Sequence, residues 1–306
     1  MNSSSKDAIR LCQRCGTAEP LLAETAIWPA GWECIGCGYR IPERDGLPLL
    51  SPDLVGSLSG FDPSWFAHLE SVEDTHFWFV ARNELIVGLA SCYFPYARTL
   101  FEIGCGNGSV LRALAGSRDW ERLVGSDIHP IGLAAARTRL PDGVELVQMD
   151  AAAIPARRVF DLIGAFDVLE HLVDDDAAIR QIALALRPGG GVILAVPQHP
   201  WLWSRQDEAA HHQRRYRRGE LETKLSRNGF RVIFSSSFVS LLLPFMILSR
   251  ASWRRQRKYD PAREFEIGTL ANRFLRIVLS AEVALTLYGL RWPLGGSRVV
   301  VAKIVP

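Results

Sequence analysis

Residues 99–108, Thr-Leu-Phe-Glu-Ile-Gly-Cys-Gly-Asn-Gly, decide the fold. The apolar run Thr99 to Ile103 reads as a strand with an acid, Glu102, near its end. Gly104, Gly106 and Gly108 follow, and they let the backbone turn sharply and approach a ligand with no Cβ in the way. The next residues, Ser109-Val-Leu-Arg-Ala-Leu-Ala, read as a helix, so a ligand in the loop meets unpaired amides at a helix N-terminus. A nucleotide-like cofactor is expected. A pyrophosphate site carries G-x-G-x-x-G, whereas this loop is E-x-G-x-G-x-G. A carboxylate pointing into the loop repels pyrophosphate and suits a cationic amino-acid moiety.

The pattern continues in order. Leu123-Val-Gly-Ser-Asp127 is a second apolar strand ending in an acid, 23 residues after Gly104. Val144 to Met149 is a third, followed by Asp150-Ala151, and Phe160 to Phe166 is a fourth, with Asp167 at its end. Leu186-Arg-Pro-Gly-Gly-Gly191 is expected to turn into a fifth strand, Val192 to Val196. Amphipathic helical runs, Ile131 to Leu140 and Asp176 to Leu186, lie between them. Strands alternating with helices indicate an α/β fold with a parallel sheet, whose ligands bind beyond the carboxyl ends of the strands.

The glycine loop resembles motif I of class I S-adenosylmethionine (SAM) methyltransferases, and Leu186-Arg-Pro-Gly-Gly resembles the family's "LKPGG" element. The resemblance implies a Rossmann-like seven-stranded sheet with helices on both faces and an antiparallel strand pair at one edge. It implies SAM contacts from Glu102, Gly104, Gly106, Gly108, Asp127 and Ile128 (ribose side), Asp150 and Ala151 (adenine side) and Phe166. Arg82, 22 residues before Gly104, matches an arginine that meets the SAM carboxylate in related enzymes; an ordinary surface arginine is the alternative. His76 to Val87 is expected to be a helix packed on this domain.

Cys12-x-x-Cys15 and Cys34-x-x-Cys37 are separated by 18 residues, and Gly16 and Gly38 follow the second cysteine of each pair. This is zinc-ribbon spacing, in which four thiolates hold a structural, tetrahedral ion. Two disulfides or a redox dithiol are the alternatives. Cys92 reads as core and Cys105 as a small filler in the glycine loop. The expected organisation is a ribbon over residues 1–50, a Ser/Pro/Gly-rich linker over 51–70 and a catalytic domain over 71–306.

Methyl transfer needs alignment, water exclusion and, for a hydroxyl or amine, a base. Asp167-x-x-Glu170-His171 resembles the Glu-x-x-Glu-His run of ubiquinone-pathway O-methyltransferases, which is associated with a divalent metal. Here Asp replaces the first Glu, and capping of the next helix is the other reading. The loop Val196 to Tyr216 mixes His, Asp, Arg and Trp; its His199 and His211 are base candidates beside Asp167. The loop reads as a lid over the acceptor or as a structural latch on the helix Glu220 to Arg227.

Gly229 to Ser236 and Ser297 to Ile304 fit strands six and seven, with a helical insertion over about 239–295. Val239 to Ser249 is apolar, Arg254-Arg-Gln-Arg-Lys258 is basic, and Ala271 to Leu290 is mainly apolar. Residues 201–260 carry thirteen Lys/Arg against five Asp/Glu. Apolar helices beside a basic run can lie on an anionic membrane, and a helical cap with a solvated basic tip is the alternative. A span is not expected, because Pro244 interrupts a short segment. The net charge of +2 and the absence of an Asn/Asp-Pro-Pro-Tyr motif weigh against a nucleic-acid acceptor. An RNA methyltransferase and a silent SAM-fold partner stay as alternatives to an enzyme acting on a small-molecule or lipid/glycan-linked acceptor. No signal-peptide pattern is seen at the first residues, so a cytoplasmic setting, with peripheral membrane contact through 239–290, is expected.

Overall fold

The computed structural model describes residues 7–22, 25–55, 64–253 and 265–305. The N-terminal segment forms β1 (Ile9–Leu11), β2 (Ala18–Pro20), β3 (Glu43–Arg44) and β4 (Leu47–Pro48), followed by α1 (Ser64–Glu73) and α2 (Phe77–Tyr93). The alternating part runs β5 (Thr99–Ile103), α3 (Ser109–Ala115), β6 (Arg122–Asp127), α4 (Pro130–Arg139), β7 (Glu145–Gln148), β8 (Ala156–Arg157), β9 (Phe160–Phe166) and α5 (Asp175–Ala185). The chain ends with β10 (Leu186–Pro197), α6 (Arg205–Ala209), α7 (Glu220–Arg227), β11 (Phe230–Phe238), α8 (Leu243–Trp253), α9 (Thr269–Leu287) and β12 (Ser297–Ile304).

Seven strands form the central sheet in the order β11-β12-β10-β9-β5-β6-β7. β7, β6, β5, β9 and β10 are parallel, and β12 is antiparallel to both β10 and β11. This is the mixed α/β class I methyltransferase fold. All five residues of β5 are buried, as a central strand covered on both faces requires. One face packs α2, α3 and α9 through Leu89, Leu111 and Leu279; the other packs α5 and α7 through Ile179 and Leu225.

Three features differ from the sequence reading. Residues 186–191 are strand rather than turn, because β10 starts at Leu186 and its register with β9 slips before Gly191. A Cβ at Gly191 would sit 2.3 Å from the Ala302 carbonyl, so only glycine lets β12 pair here. The expected linker over 51–70 contains the start of α1 and a 3₁₀ turn at Pro52–Leu54; residues 56–63 lie outside the described part. Phe66 of α1 is buried, and its carbonyl accepts from Asn107 Nδ2 at 2.8 Å, so α1 closes over the glycine loop.

The third difference concerns the cysteine segment, which is built into the sheet domain. Parallel strands joined in sequence need a crossover, usually a helix, yet the connection from β7 to β9 over 149–159 contains only β8. β1 pairs antiparallel with β8, and Ile27 and Trp28 cover the face a crossover helix would occupy. The Trp28 ring lies 6.0 Å from Phe101 of β5 and 6.5 Å from Phe160 of β9. Leu49 bridges in parallel to Gln148, so the strap after β4 extends the sheet at its β7 edge. Among the described residues, no helix is long and apolar enough to cross a membrane.

Candidate functional site

The carboxyl ends of β5, β6, β7 and β9 bring the expected cofactor residues together. Gly104, Gly106 and Gly108 have φ of 69°, 51° and 76°, backbone that side-chain-bearing residues adopt at a cost. Gly104 is doubly constrained, since a Cβ there would also lie 2.3 Å from Val168. Gly108 caps α3. Below the loop, Glu102 is buried and its Oε2 has no hydrogen-bond partner. Burial pushes its carboxyl well above the usual range; Arg82 lowers it, while Glu73 and Asp127 raise it. An unsatisfied buried acid aimed at a glycine cradle is a seat for a cation.

Asp127 ends β6. Its Oδ2 accepts from the Gly106 amide at 2.9 Å and its Oδ1 from the His129 amide at 2.8 Å. Burial raises its carboxyl above the usual range against the lowering effect of these amides. Asp150 follows β7 and accepts from the Ala152 amide at 2.9 Å, with buried Ala151 between them. The Ile128 carbonyl accepts from Gln148 Nε2 at 3.3 Å, and Phe166 is buried at the end of β9. Arg82, on α2, lies over the rings of Trp78 (4.7 Å) and Phe79 (5.3 Å) and donates to Asp167 Oδ2 at 2.8 Å. It is therefore an inward arginine, with a side chain 12% exposed.

Asp167, His199 and His211 have φ of 57°, 66° and 55°, and backbone strain of this kind gathers at functional sites. They differ in surroundings. His199 is buried, its ring stacks on Trp201 at 5.3 Å, and its Nε2 has no hydrogen-bond partner. Burial, followed by the charges of Arg215, Arg298 and Arg218, lowers its pKa. His211 is exposed after α6. Its neighbour His212 turns inward: Nδ1 lies 3.0 Å from Asp207 Oδ1, and Nε2 lies 4.0 Å from Glu170 Oε1.

Glu170, His171 and His212 offer ligand atoms within 4.8 Å of one another. Glu170 is fully buried and neither carboxylate oxygen has a hydrogen-bond partner. Burial, then the Asp167 charge, pushes its carboxyl well above the usual range. Burial also lowers His171 to about 3. Capping of α5 is carried by Asp174, whose side chain accepts from the Ala177 amide at 2.9 Å; Glu170 and His171 have no part in it. Buried Asp207 also accepts from Arg215 Nε at 2.7 Å and from the Ser204 amide at 2.7 Å. Tyr216 donates to Asp175 Oδ2 at 2.6 Å. Asp207 thus braces the loop from within, and Arg215, donating to the Gly296 carbonyl at 3.5 Å, and Tyr216 tie it to the domain while it presents His199 and His212. His212 and Asp207 stand in the quoted loop, but only the end of α6 shows which of two adjacent histidines points inward.

In the N-terminal segment, the four sulfurs of Cys12, Cys15, Cys34 and Cys37 also lie within 4.8 Å of one another. No disulfide joins them, and the sulfurs of Cys12 and Cys37 lie 3.8 Å apart and those of Cys15 and Cys34 3.7 Å apart. Gly16 and Gly38 have φ of 73° and 66°, and the Gly36 amide donates to Cys34 Sγ at 3.3 Å.

A methyltransferase-domain family model matches residues 59–234. Trans-aconitate 2-methyltransferase of Variovorax paradoxus is 32% identical over 111 residues, 36% of this chain and 43% of that protein. Ubiquinone biosynthesis O-methyltransferase of Stutzerimonas stutzeri is 30% identical over 103 residues, 32% and 44% respectively. The chain thus spans less than half the length of these curated relatives. Phosphoethanolamine N-methyltransferase 2 of Haemonchus contortus, solved with S-adenosyl-L-methionine, aligns at a TM-score of 0.55 and 17% identity over 82% of this chain and 59% of that one. The complex of the Haloferax volcanii Trm112 methyltransferase activator with a methyltransferase gives 0.54 and 20% over 79% and 95%. At such identities these two structures show the fold alone. With the family model covering more than half of its length, the chain belongs to the class I SAM-dependent methyltransferase family.

Proposed function

We propose that the protein transfers the methyl group of SAM to an oxygen, nitrogen or carbon atom of a small-molecule or lipid/glycan-linked acceptor. The observation that carries this reading is Glu102: a fully buried carboxylate with an unsatisfied oxygen beneath a positive-φ glycine loop, with Asp127 on the next strand. These residues fit SAM. When bound, SAM supplies an electrophilic methyl group on a sulfonium. Glu102 would hold the cofactor's ammonium, Asp127 its ribose hydroxyls, and Asp150 with the Ala151 amide its adenine. Arg82, paired with Asp167 at 2.8 Å, would supply the positive charge for the cofactor carboxylate.

On the acceptor side, His199 is the base where the nucleophile is a hydroxyl or amine. Its Nε2 takes the proton that the acceptor loses, and its lowered pKa keeps the ring neutral and ready at pH 7. His211, exposed, and Asp167, held by Arg82, are the weaker candidates. A second reading is favoured by Glu170: its two unsatisfied oxygens, His171, and a His212 ring oriented by Asp207 form a donor set that suits a divalent cation. Such an ion would act as a Lewis acid on an acceptor oxygen. The four clustered thiols fit a structural zinc ion, since their number and type match tetrahedral thiolate sites.

Asp127→Ala is the test. Loss of two charge-assisted hydrogen bonds weakens SAM by about 2–4 kcal/mol. Unchanged calorimetric affinity in a folded variant removes the assignment. Transfer from radiolabelled SAM into lipid, small-molecule, RNA and protein fractions then identifies the acceptor class. Label in RNA alone would favour the RNA alternative, and SAM binding with no transfer would favour the silent partner.

A further inference from the structure

The insertion between β11 and β12 has an apolar face that no other described residues cover. α9 carries two apolar surfaces. On one, Leu279 and Val283 are buried against α2, where Gly88 leaves room for Leu287: a Cβ at Gly88 would lie 2.5 Å from that side chain. Asn272 fixes the start of the pair, accepting from the Phe77 amide at 2.8 Å and donating to the Thr75 carbonyl at 2.9 Å.

The other surface is a stripe. Leu270, Phe274, Ile277, Ala281, Leu285 and Tyr288 recur at i, i+4, i+7, i+11, i+15 and i+18, which places them on one side of a 3.6-residue helix. All six are exposed, Leu270 by 85%, Phe274 by 60%, Ile277 by 63% and Tyr288 by 93%. A helix that only caps a domain has a polar outer face. This one has its largest apolar side chains there.

Charge names the occupant. On α9 the exposed charged residues are Arg273 and Arg276, the second paired with Glu84 of α2 at 3.8 Å, and its own acid, Glu282, is buried on the inner side. Glu282 accepts from the Ser240 amide at 2.9 Å and the Leu241 amide at 2.8 Å, just after Val239, whose φ of 60° is rare for a β-branched residue. One acid therefore pins the entry of α8 to α9. α8 exposes Phe245 and Leu248 in turn, and in sequence it is followed by Arg254, Arg255, Arg257 and Lys258. A second copy of the chain laid on the stripe would add more arginines and no acid from α9 to meet them. An anionic lipid surface meets both features, since apolar side chains enter the acyl boundary while arginines reach headgroup phosphates.

We propose that α8 and α9 form a membrane-docking surface that lies in the plane of an anionic bilayer, with the Leu270-to-Tyr288 stripe of α9 facing the lipid. Docking brings the enzyme to where lipid-linked acceptors, one of the two classes proposed above, are presented. The surface is outside the cofactor residues, so its failure leaves the methyltransferase reading standing.

The test is flotation of the full chain with vesicles of phosphatidylcholine alone or mixed with phosphatidylglycerol. The protein is expected to float with the mixed vesicles, far less with the neutral ones, and to be released by salt. Phe274→Glu with Ile277→Glu is expected to lower vesicle binding at least ~10-fold, because two exposed apolar groups that would enter the lipid become repelled charges. Arg273→Glu is expected to lower it several-fold. SAM affinity by calorimetry stays unchanged in all three proteins, which shows that they are folded. Equal flotation of wild type and the double variant, or no binding to mixed vesicles, overturns the proposal. A concentration-dependent dimer in ultracentrifugation that the double variant abolishes overturns it in favour of a second copy.

Discussion

The ribbon and the α8–α9 insertion sit at opposite edges of one sheet, the first beside β7 and the second between β11 and β12. Their sequences advertise the reverse of what they do. The ribbon has the cysteine spacing of a self-contained module, yet its Ile27 and Trp28 belong to the same core as Phe101 and Phe160. The insertion reads as part of the catalytic domain, yet α9 turns a stripe of apolar side chains, Leu270 and Phe274 among them, outward. A segment's independence is thus a matter of which apolar side chains find partners inside the domain.

The largest expected effect tests that contrast directly. Trp28→Ala removes a buried side chain packed against Phe101 and Phe160 on the face of two central strands and is expected to cost the whole domain about 3–5 kcal/mol, with one unfolding transition. Chelation, or Cys34→Ser with Cys37→Ser, is expected to lower the same transition, because the cysteines hold the segment that presents Trp28. Two separate transitions in calorimetry, with the SAM-dependent one unmoved, would make the ribbon a tethered module after all. Phe274→Glu with Ile277→Glu, at the opposite edge, is expected to leave the transition within ~0.5 kcal/mol of wild type, as for exposed sites in general.

Between the two edges lies the His199 loop. His199→Gln is expected to slow transfer by roughly 10²- to 10⁴-fold with SAM affinity preserved, and His211→Gln by only a few-fold. Because neutral His199 is the active form and its pKa is lowered, wild-type activity is expected to hold below pH ~6.5, the ordinary histidine value, before falling with acid. Equal and small losses in both variants would move the base to Asp167 or to the Glu170 cluster.

That cluster makes a smaller prediction in stability. Glu170 carries a raised pKa, so the folded chain binds its proton more tightly than the unfolded chain. The stability it contributes is present below pH ~4.5 and is lost as pH rises toward the folded value. Glu170→Gln is therefore expected to stabilise the protein by about 1–3 kcal/mol at neutral pH, with no gain below pH ~4.5. His76 and His171, lowered to about 4 and about 3, act oppositely, since the unfolded chain protonates first as pH falls. Both proteins share them, so they cancel in the difference. A divalent cation is expected to raise the melting temperature of wild type and not of the variant; no response in either would set the metal reading aside.

The strands, their order and the strand-end acids were legible because each rests on local patterning: apolar runs, glycines at fixed spacing, and acids where strands end. Long-range partnerships were not. Nothing local in Ile27-Trp28 indicates that they replace a crossover helix, since that depends on residues 149–159 lacking one. Nothing local in the Ser/Pro/Gly-rich stretch before Phe66 reveals that α1 closes on Gly106. Among the site residues, Glu102 and Asp127 follow from position on a strand. The inward turn of His212, and the hold of Asp207 on it, depend on how α6 ends.

The smallest effect is also the one that best separates the two edges. Ser51, at the end of the ribbon strap, accepts from the Asp150 amide at 3.1 Å through its hydroxyl. Its backbone is held at both ends by buried Gln148, which accepts from the Ser51 amide at 2.9 Å and donates to the Ser51 carbonyl at 2.9 Å. The same Gln148 amide group reaches the Ile128 carbonyl. One side chain thus joins the strap to the ends of β6 and β7, where the proposed ribose and adenine contacts lie. Ser51→Ala removes a single neutral hydrogen bond, of about 0.5–1.5 kcal/mol, so SAM affinity is expected to fall roughly 2- to 10-fold with little change in melting temperature. The exposed α9 variants are expected to leave that affinity unchanged, because no comparable network links the stripe to the cofactor strands among the described residues. If Ser51→Ala binds SAM as tightly as wild type, the strap only fills the sheet edge, and the ribbon contributes to stability without shaping the cofactor site.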